Sequence, residues 1–215
     1  YPFGLPTGGA GITPSAALVK AMLVNGGHEM GSADEPSQSE GWGRILLDDV
    51  LYFSPLDVSE LRLEDEATGV STGEEVAYYY DVDAAAAPLE ITLVWTDYPS
   101  SPGASPNLVN NLNLVVTSPS SVEYLGNVYS GGQSTTGGTA DNLNVEECVR
   151  QAVPEIGTWT IRVQGANVPV GPFISTGGVV NAASYASASP PNGGVAQGSY
   201  IAIFGSGLGP SQAVR

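Results

Sequence analysis

The stretch that decides the fold is Pro88–Val116, which reads PLEITLVWTDYPSSPGASPNLVNNLNLVV. Apolar and polar residues alternate from Leu89 to Leu93, and the same two-residue period returns from Leu112 to Val116. This period is typical of half-buried β-strands. The residues between contain Asp97, three prolines and a glycine, which interrupt both strands. The stretch therefore predicts a strand, an acidic elbow and a second strand.

Composition extends this pattern to most of the chain. Among 215 residues there are 28 glycines and 16 prolines, and only 13% of residues are charged. Short alternating segments separated by turn residues continue from Val58 to Gln164. These features predict a mainly β protein, an antiparallel jelly-roll sandwich of about residues 55–172. Within it, Ser130–Thr139 is rich in Gly, Ser and Thr and is expected to be a flexible loop.

Two helices are predicted in front of the sandwich. Thr13 is expected to cap the first and Pro14 to occupy its first position. That helix runs to Asn25, and Gly26-Gly27 is expected to end it in a left-handed conformation. A second, amphipathic helix is predicted over residues 45–53.

The charge balance restricts the partners of the chain. Six Lys and Arg residues stand against 22 Asp and Glu residues, so the net charge is −16. Nucleic acids and anionic membranes are poor partners, because both attract positive charge, whereas cations are favoured. No segment is apolar enough to suggest a membrane span, and the first residues do not resemble a signal peptide.

The single cysteine and the single histidine offer little chemistry. Cys148 excludes an internal disulfide and lies in an alternating run, so we expect a buried small hydrophobe. His28 follows a predicted helix end, and no second His or Cys ligand is near it in the sequence. We therefore expect a loop histidine rather than a base or a metal ligand.

Several phrases, taken together, resemble the C-terminal part of secreted bacterial subtilisin-like serine proteases. In chain order they are TPSAALVKAMLVNGG, GWGRILLDDVL, LEITLVWTDYP, LVNNLNLVVTSP, YLGN, NLNVEECV and GTWTIRVQGANVPVGP. The resemblance implies that residues 1–54 are the helical end of a catalytic domain and residues 55–172 a jelly-roll domain. Residues 173–215 contain GVVNAASYA and GSYIAIFGSGLG, which resemble the start of a small C-terminal module of secreted bacterial proteins.

The catalytic residues of that family are absent from this chain. It has no Gly-Thr-Ser-Met-Ala segment, and His28 does not lie in the family's histidine motif. A Ser–His–Asp mechanism needs all three groups, so the chain alone is not expected to be a serine protease. The resemblance implies a secreted parent protein and a missing catalytic domain as partner. Without that domain, the two helices are expected to fold onto the sandwich or to form a homodimer.

The resemblance also implies calcium binding through loop carboxylates and amides. Calcium, or another divalent cation, takes six to eight oxygen ligands. The matching positions are Asp97, Asn110, Asn111, Asn113, Asn127, Asp141, Asn144 and Glu146. VNNLNL has asparagine where relatives commonly have aspartate, which predicts weaker binding. The alternative is that the asparagines only form turns.

Two other functions are open from the sequence. A metal-bound water could hydrolyse phosphate or other activated esters, or two carboxylates could cleave a glycoside, with Asp97, Asp141 and Glu146 as candidate catalytic residues. A carbohydrate- or protein-binding module would need exposed aromatic residues, for which the candidates are Tyr78–Tyr80, Tyr98, Tyr124 and Tyr129. The favoured prediction is a non-catalytic, calcium-binding accessory domain that stabilises the protease or positions its substrate.

Overall fold

A computed structural model describes residues 14–31, 36–51, 60–66 and 68–170, and the backbone of 199–205 and 212–214. These residues form one α-helix, a 3-10 turn at Leu47–Asp49 and a set of antiparallel strands. The elements are α1 (Ala16–Asn25), β1 (Gly27–His28), β2 (Arg44–Ile45), β3 (Glu60–Glu66), β4 (Glu75–Val82), β5 (Leu89–Trp95), β6 (Asn111–Thr117), β7 (Glu123–Ser130), β8 (Gln133–Thr136), β9 (Glu146–Gln151), β10 (Gly157–Asn167), β11 (Ser199–Gly205) and β12 (Gln212–Val214).

Two main sheets form a β-sandwich. The four-stranded sheet has the order β3-β11-β5-β9, and the six-stranded sheet has the order β12-β4-β10-β6-β7-β8. The pairs β3–β11, β4–β10, β5–β9 and β6–β7 are nested like the two arms of one long hairpin. Rolling such a hairpin gives the jelly-roll order. The prediction of a mainly β antiparallel sandwich with a short N-terminal helix is confirmed.

The core lies between the inner faces of the two sheets. The six-stranded sheet contributes large side chains that are almost wholly buried, among them Tyr80, Trp159 and Leu114. The four-stranded sheet contributes Ile91 and Val149 to the same cluster. The two-residue period of Pro88–Val116 therefore identifies the inner face correctly, because alternate residues of a strand point to the same side.

The outer face of the four-stranded sheet is covered by α1. Ala17, Leu18 and Ala21 pack with Val94 of β5, and Asn25 accepts a buried hydrogen bond from the hydroxyl of Thr92. Thr92 and Val94 alternate with the inward-facing residues of β5, so both faces of this strand are buried. The helix thus folds onto the sandwich. No helix in the described part of the chain is long and apolar enough to cross a membrane.

Both ends of α1 differ from the prediction. The N-cap is Ser15, whose hydroxyl accepts the N–H of Leu18 at 3.0 Å, and Thr13 lies outside the described residues. At the other end Gly26 has φ −83°, so the expected left-handed ending is wrong. Gly27 instead allows the backbone of Trp42 to come close, because a Cβ on Gly27 would lie 1.9 Å from the carbonyl oxygen of Trp42.

Two further predictions of local structure are wrong. The amphipathic helix over 45–53 is absent from its described part, which contains β2 and the 3-10 turn. Ser130–Thr139 contains β8, paired with β7 through a tight turn in which Gly131 and Gly132 both have positive φ. A two-residue turn of this kind matches the twist of a hairpin, so the glycines build a hairpin rather than a flexible loop.

The chain beyond residue 172 contributes to both sheets. β11 lies between β3 and β5, and β12 pairs with β4 at the edge of the six-stranded sheet. β11 therefore takes the position of the last jelly-roll strand. The boundary of a separate module at residue 173 stays a prediction.

Candidate functional site

The acidic elbow between β5 and β6 is organised by the carboxylate of Asp97. Its Oδ1 accepts the backbone N–H groups of Tyr98 at 2.7 Å and Asn110 at 2.8 Å. Its Oδ2 accepts the N–H of Val109 at 2.6 Å. A carboxylate offers about four acceptor positions, and three of these are occupied by the chain itself. Asp97 therefore fixes the two ends of the elbow against each other.

Asn110 connects this elbow to two other parts of the sandwich. Its backbone oxygen accepts the indole N–H of Trp95 at 3.0 Å. Its side-chain Oδ1 accepts the N–H of Val170, which follows β10, at 3.2 Å. Asp97 and Asn110 thus form one structural unit, and their predicted role as metal ligands stays a prediction.

A second cluster, which we call the Asp141 cluster, consists of Asn127, Asp141 and Asn144. Asp141 Oδ2 accepts the side-chain N–H groups of Asn127 at 2.6 Å and Asn144 at 2.7 Å. Asp141 Oδ1 accepts the backbone N–H groups of Leu143 at 2.8 Å and Asn144 at 3.3 Å. Burial raises the pKa of Asp141, but these four hydrogen bonds together lower that pKa below its ordinary value. The carboxylate of Asp141 is therefore ionised, and N–H groups of the chain supply the hydrogen bonds that water would otherwise provide.

Side chains of the β7–β8 hairpin cover the edge of β9. Asn127 accepts the N–H of Cys148 at 3.0 Å and donates to the carbonyl oxygen of Glu146 at 2.8 Å. The Tyr129 hydroxyl donates to the carbonyl oxygen of Cys148, and Ser134 accepts the N–H of Arg150. These contacts satisfy backbone groups that a neighbouring strand would otherwise pair. Asn127 therefore has a structural role in addition to its place in the Asp141 cluster.

Glu146 faces outward from β9 and binds α1. Its Oε2 lies 2.7 Å from the ammonium nitrogen of Lys20, and both side chains are partly exposed. Exposed pairs of this kind contribute less than about 1 kcal/mol. Glu146 therefore orients the helix weakly, and it is also placed away from the core side of its strand.

The neighbouring Glu147, which is not among the ligands predicted from the sequence, is the most unusual acid in the described part of the chain. Its exposed fraction is 0%. Its Oε2 accepts the backbone N–H of Leu114 on β6 at 2.7 Å. On β7, a Cβ on Gly126 would lie 2.4 Å from the same oxygen. The backbone pairing of β6 with β7 extends from Val115↔Leu125 to Thr117↔Glu123. Leu114 and Gly126 would be the next opposed residues, and the N–H of Leu114 binds the Glu147 carboxyl group instead.

The environment of Glu147 disfavours its charge. Burial, with a smaller contribution from the negative charge of Asp141, raises the pKa of Glu147 from 4.5 to about 8. The hydrogen bond from Leu114 acts in the opposite direction but is outweighed. In the absence of a bound cation, Glu147 is therefore mainly protonated at pH 7.

Three buried side-chain oxygens on β6 and β9 have no hydrogen-bond partner among the described residues. They are Oε1 of Glu147 and the Oδ1 atoms of Asn111 and Asn113. The two asparagines lie two residues apart on β6, so their side chains share one face of the strand. Asn113 directly precedes Leu114, whose N–H binds Glu147. Buried acceptors without a partner are rare and commonly mark an ion or an ordered water.

The predicted ligands are therefore distributed over separate contacts. Asp97 binds the backbone of Asn110 in the elbow. Asp141 binds the side chains of Asn127 and Asn144, and Glu146 pairs with Lys20. In the described ranges, no three His, Cys, Asp or Glu side chains are grouped so that they could hold a metal ion. A cation site in these ranges would therefore combine at most two such side chains with amide or backbone oxygens. The hydrolase alternative, with Asp97, Asp141 and Glu146, stays a prediction. Asn127 connects the carboxylate of Asp141 to the backbone of Glu146, and no hydrogen bond described above joins the three carboxylates directly.

Most of the candidate aromatic residues for carbohydrate binding are used in packing. Tyr78 and Tyr80 belong to the core, and Tyr124 stacks on Trp159 with ring centroids 6.2 Å apart. Tyr129 binds the backbone of β9. Tyr98, at 54% exposed, and Tyr79, at 38% exposed, are the candidates that remain open to solvent.

The predicted inert character of Cys148 agrees with the structure. Its side chain is almost wholly buried, and burial raises the pKa of the thiol. A thiol of this kind is a poor nucleophile, because the thiolate is the reactive form.

Comparison with known proteins places the chain beside large proteins of Dictyostelium discoideum. It is 31% identical over 167 residues to the "Serine protease/ABC transporter B family protein tagA". The matched segment covers 74% of this chain and 9% of that protein. It is 27% identical over 222 residues to the tagD protein of the same description, and this match covers 80% of the chain and 12% of the relative. No protein-family model matches the chain.

These similarities concern only part of each relative. The chain spans about a tenth of the length of the relatives it matches. The chain is therefore similar to one segment of larger proteins whose names contain the words "serine protease".

Proposed function

We propose that this chain is a non-catalytic, calcium-binding accessory domain of a secreted bacterial subtilisin-like serine protease. The observation that carries the proposal is the set of buried oxygens without partners on Asn111, Asn113 and Glu147. They belong to a chain with a net charge of −16, so a cation relieves both the unmet hydrogen-bonding capacity and the local negative potential.

The oxygen chemistry of these residues fits calcium. Calcium accepts carboxylate and amide oxygens in flexible geometry, whereas zinc and copper prefer nitrogen and sulfur ligands. Asn111, Asn113 and Glu147 would hold the ion. Asp97, Asn110, Asn127, Asp141, Asn144 and Glu146 would join them only by exchanging hydrogen bonds or an ion pair that they already make. The ion would supply structural stabilisation at this site.

The accessory role is supported by the position of exposed apolar residues. Val19 and Leu23 lie on the outward side of α1, and Ile45 and Leu47 are exposed in β2 and the adjacent 3-10 turn. All four belong to the part of the chain that resembles the end of a catalytic domain. We propose that this surface contacts the catalytic domain of the parent protease.

Calcium titration of thermal unfolding tests the proposed site. A ligand at one hundred times its dissociation constant stabilises the folded protein by about 2.7 kcal/mol. For a chain of this size, that corresponds to a rise in the melting temperature of roughly 5–10 °C. We expect this rise with CaCl₂, its reversal by a chelator, and a shift at least twofold smaller in Asn113→Ala.

Asn142→Ala is the matched control, because Asn142 is an exposed asparagine outside the proposed ligand set. It should respond to calcium like the parent protein. An equal calcium response in Asn113→Ala, or no response in the parent protein, would contradict the proposed site.

A further inference from the structure

The first strand of the sandwich depends on the last described strand of the four-stranded sheet. β3 has β11 as its neighbour in that sheet, and β11 in turn separates β3 from β5. The pairing is long and regular, from Ser199↔Glu66 to Gly205↔Glu60 on one side and from Ser199↔Trp95 to Phe204↔Glu90 on the other. β3 and β5 therefore enclose a slot that accepts one extended strand, antiparallel to both.

The connection that delivers β11 differs in length from the others. Residues 83–88 join β4 to β5 and residues 152–156 join β9 to β10, whereas residues 168–198 join β10 to β11. Connections longer than about 15 residues are uncommon inside compact domains. This one is rich in Gly, Ala, Ser and Pro, and lengthening such a tether weakens its hold on the tethered strand only slowly.

We propose that the slot between β3 and β5 is a strand-acceptor site that takes Ser199–Gly205 from a second copy of this chain as well as from its own. The resulting dimer exchanges β11, and with it the following β12 that pairs with β4, between two sandwiches. Every backbone pair of the slot is the same in both forms. Exchange of an identical element is a low-cost route to a dimer for this reason.

The charges of the slot restrict what else could enter it. β3 carries four acids, Glu60, Glu64, Asp65 and Glu66, against one base, Arg62. The segment SYIAIFG carries no charge, so it approaches β3 without repulsion, whereas an acidic strand would be repelled. The neutral segment of a second copy therefore fits the slot, although the two chains as a whole repel each other.

The balance between the two forms is set by concentration. Covalent linkage through residues 168–198 gives β11 an effective concentration at its own slot on the order of 1 mM. At a few micromolar, the chain therefore fills its own slot, and at several hundred micromolar a second copy becomes a real competitor. Exchange requires β11 to leave the slot, so the dimer is expected to form during refolding.

Cysteine pairs that join only across two chains test the exchange. One full-length chain carries Glu66→Cys and another carries Ser199→Cys, which are register partners. Opposed residues in antiparallel strands have Cα atoms about 4.5–5.5 Å apart, which is within disulfide range. The two chains are refolded together, oxidised and separated on a non-reducing gel. We expect a disulfide dimer that increases by about tenfold or more between 5 and 500 µM.

The matched control replaces Ser199→Cys by Gly205→Cys. Gly205 pairs with Glu60 at the far end of the strand, so it lies about 20 Å from residue 66. We expect no dimer above the level that each variant forms alone. A missing dimer in the matched mixture, or an equal dimer in the control mixture, would overturn the proposal.

A chain that carries both Glu66→Cys and Ser199→Cys provides an independent measurement. At 5 µM it should form an internal disulfide and run as a monomer, which shows that the slot holds β11 in the register described. Failure to form this internal disulfide, in a chain whose circular dichroism matches that of the parent protein, would also overturn the proposal.

Discussion

Glu147 shows how a single side chain can end a pair of strands. Its carboxyl group occupies the place where β6 and β7 would continue to pair, accepting the N–H of Leu114 beside Gly126. A glycine is required there, because any Cβ would meet the carboxyl group at less than 3 Å. The arrangement keeps an acid in a place where its charge is unfavourable, which makes the local structure responsive to protons and to cations.

The pH dependence of stability follows from this acid. The folded-state pKa of Glu147 is raised to about 8 from 4.5, so its contribution is fully present below pH 4.5 and is lost as the pH rises towards 8. In the presence of a chelator, the free energy of unfolding of the parent protein should fall relative to that of Glu147→Gln across this window. The expected slope is about 1.4 kcal/mol per pH unit, measured by urea unfolding.

Glu146→Gln is the control for this prediction. It removes the adjacent carboxylate, which pairs with Lys20 at the surface, and should change stability by less than about 1 kcal/mol. A parent protein and Glu147→Gln with parallel pH profiles would show that Glu147 is ionised in the folded state.

For single residues, the sequence shows which polar side chains gather at strand ends, but it does not show which groups they bind. Asp97, Asp141 and the asparagines stand out because carboxylates and amides gather at strand ends. Their partners are mainly backbone N–H groups, whose directions depend on how each loop closes. Glu147 could have been found, because it alternates with Val145 and Val149, which face the core. The adjacent Glu146 makes the pair look like a charged surface instead.

The helix α1 is an element that belongs to the sandwich. It packs on the outer face of β5, and its hydrogen bond from Thr92 to Asn25 is buried. Arg150 adds a second attachment, because it binds the carboxylate of Glu90 at 2.9 Å and the carbonyl oxygen of Gly27 at 3.0 Å. The N-terminal segment is thereby fastened to both β5 and β9.

Truncation of Leu18 tests this attachment. Leu18 is 0% exposed, and Leu→Ala changes at such positions cost about 2–5 kcal/mol because of lost burial and the cavity that remains. Its neighbour Val19 is 40% exposed, and Val19→Ala should cost less than about 1 kcal/mol. Chemical unfolding of the isolated chain measures both, and equal small effects would mean that α1 is not docked on the sandwich.

The elements that the sequence predicts well are those whose partners are close in the chain or whose pattern has one interpretation. The alternation in β5, β6 and β10 identifies these strands and their buried faces. The segment over 45–53 has an amphipathic pattern, but β2 pairs with β1, and that pairing competes with a helix. β11 could not be placed by periodicity, because its neighbours β3 and β5 lie more than one hundred residues earlier in the chain.

At the scale of the whole molecule, repulsion between acids opposes compactness. There are 22 acidic and six basic residues, so most acids have no basic partner available. Exposed ion pairs such as Arg162–Glu123 are individually worth less than about 1 kcal/mol. The repulsion therefore outweighs the attraction that salt would screen.

We expect monovalent salt to stabilise the protein. Raising NaCl from 0.01 to 1 M shortens the Debye length from about 30 Å to about 3 Å, which screens the repulsion more than it weakens the few ion pairs. The melting temperature should rise, and by the same amount in Asn113→Ala as in the parent protein, because this effect needs no specific site. A fall in the melting temperature would mean that the ion pairs dominate.

The position of β3 beside β11 has a consequence for the order of events during synthesis. A ribosome adds about 5–20 residues per second, and β3 and β11 are separated by more than 130 residues. The first strand of the sandwich therefore waits roughly 7–26 s for its partner. During that interval the strand segment Glu60–Glu66 has acids at four of its seven positions, and this charge keeps a nascent, unpaired edge from joining other chains.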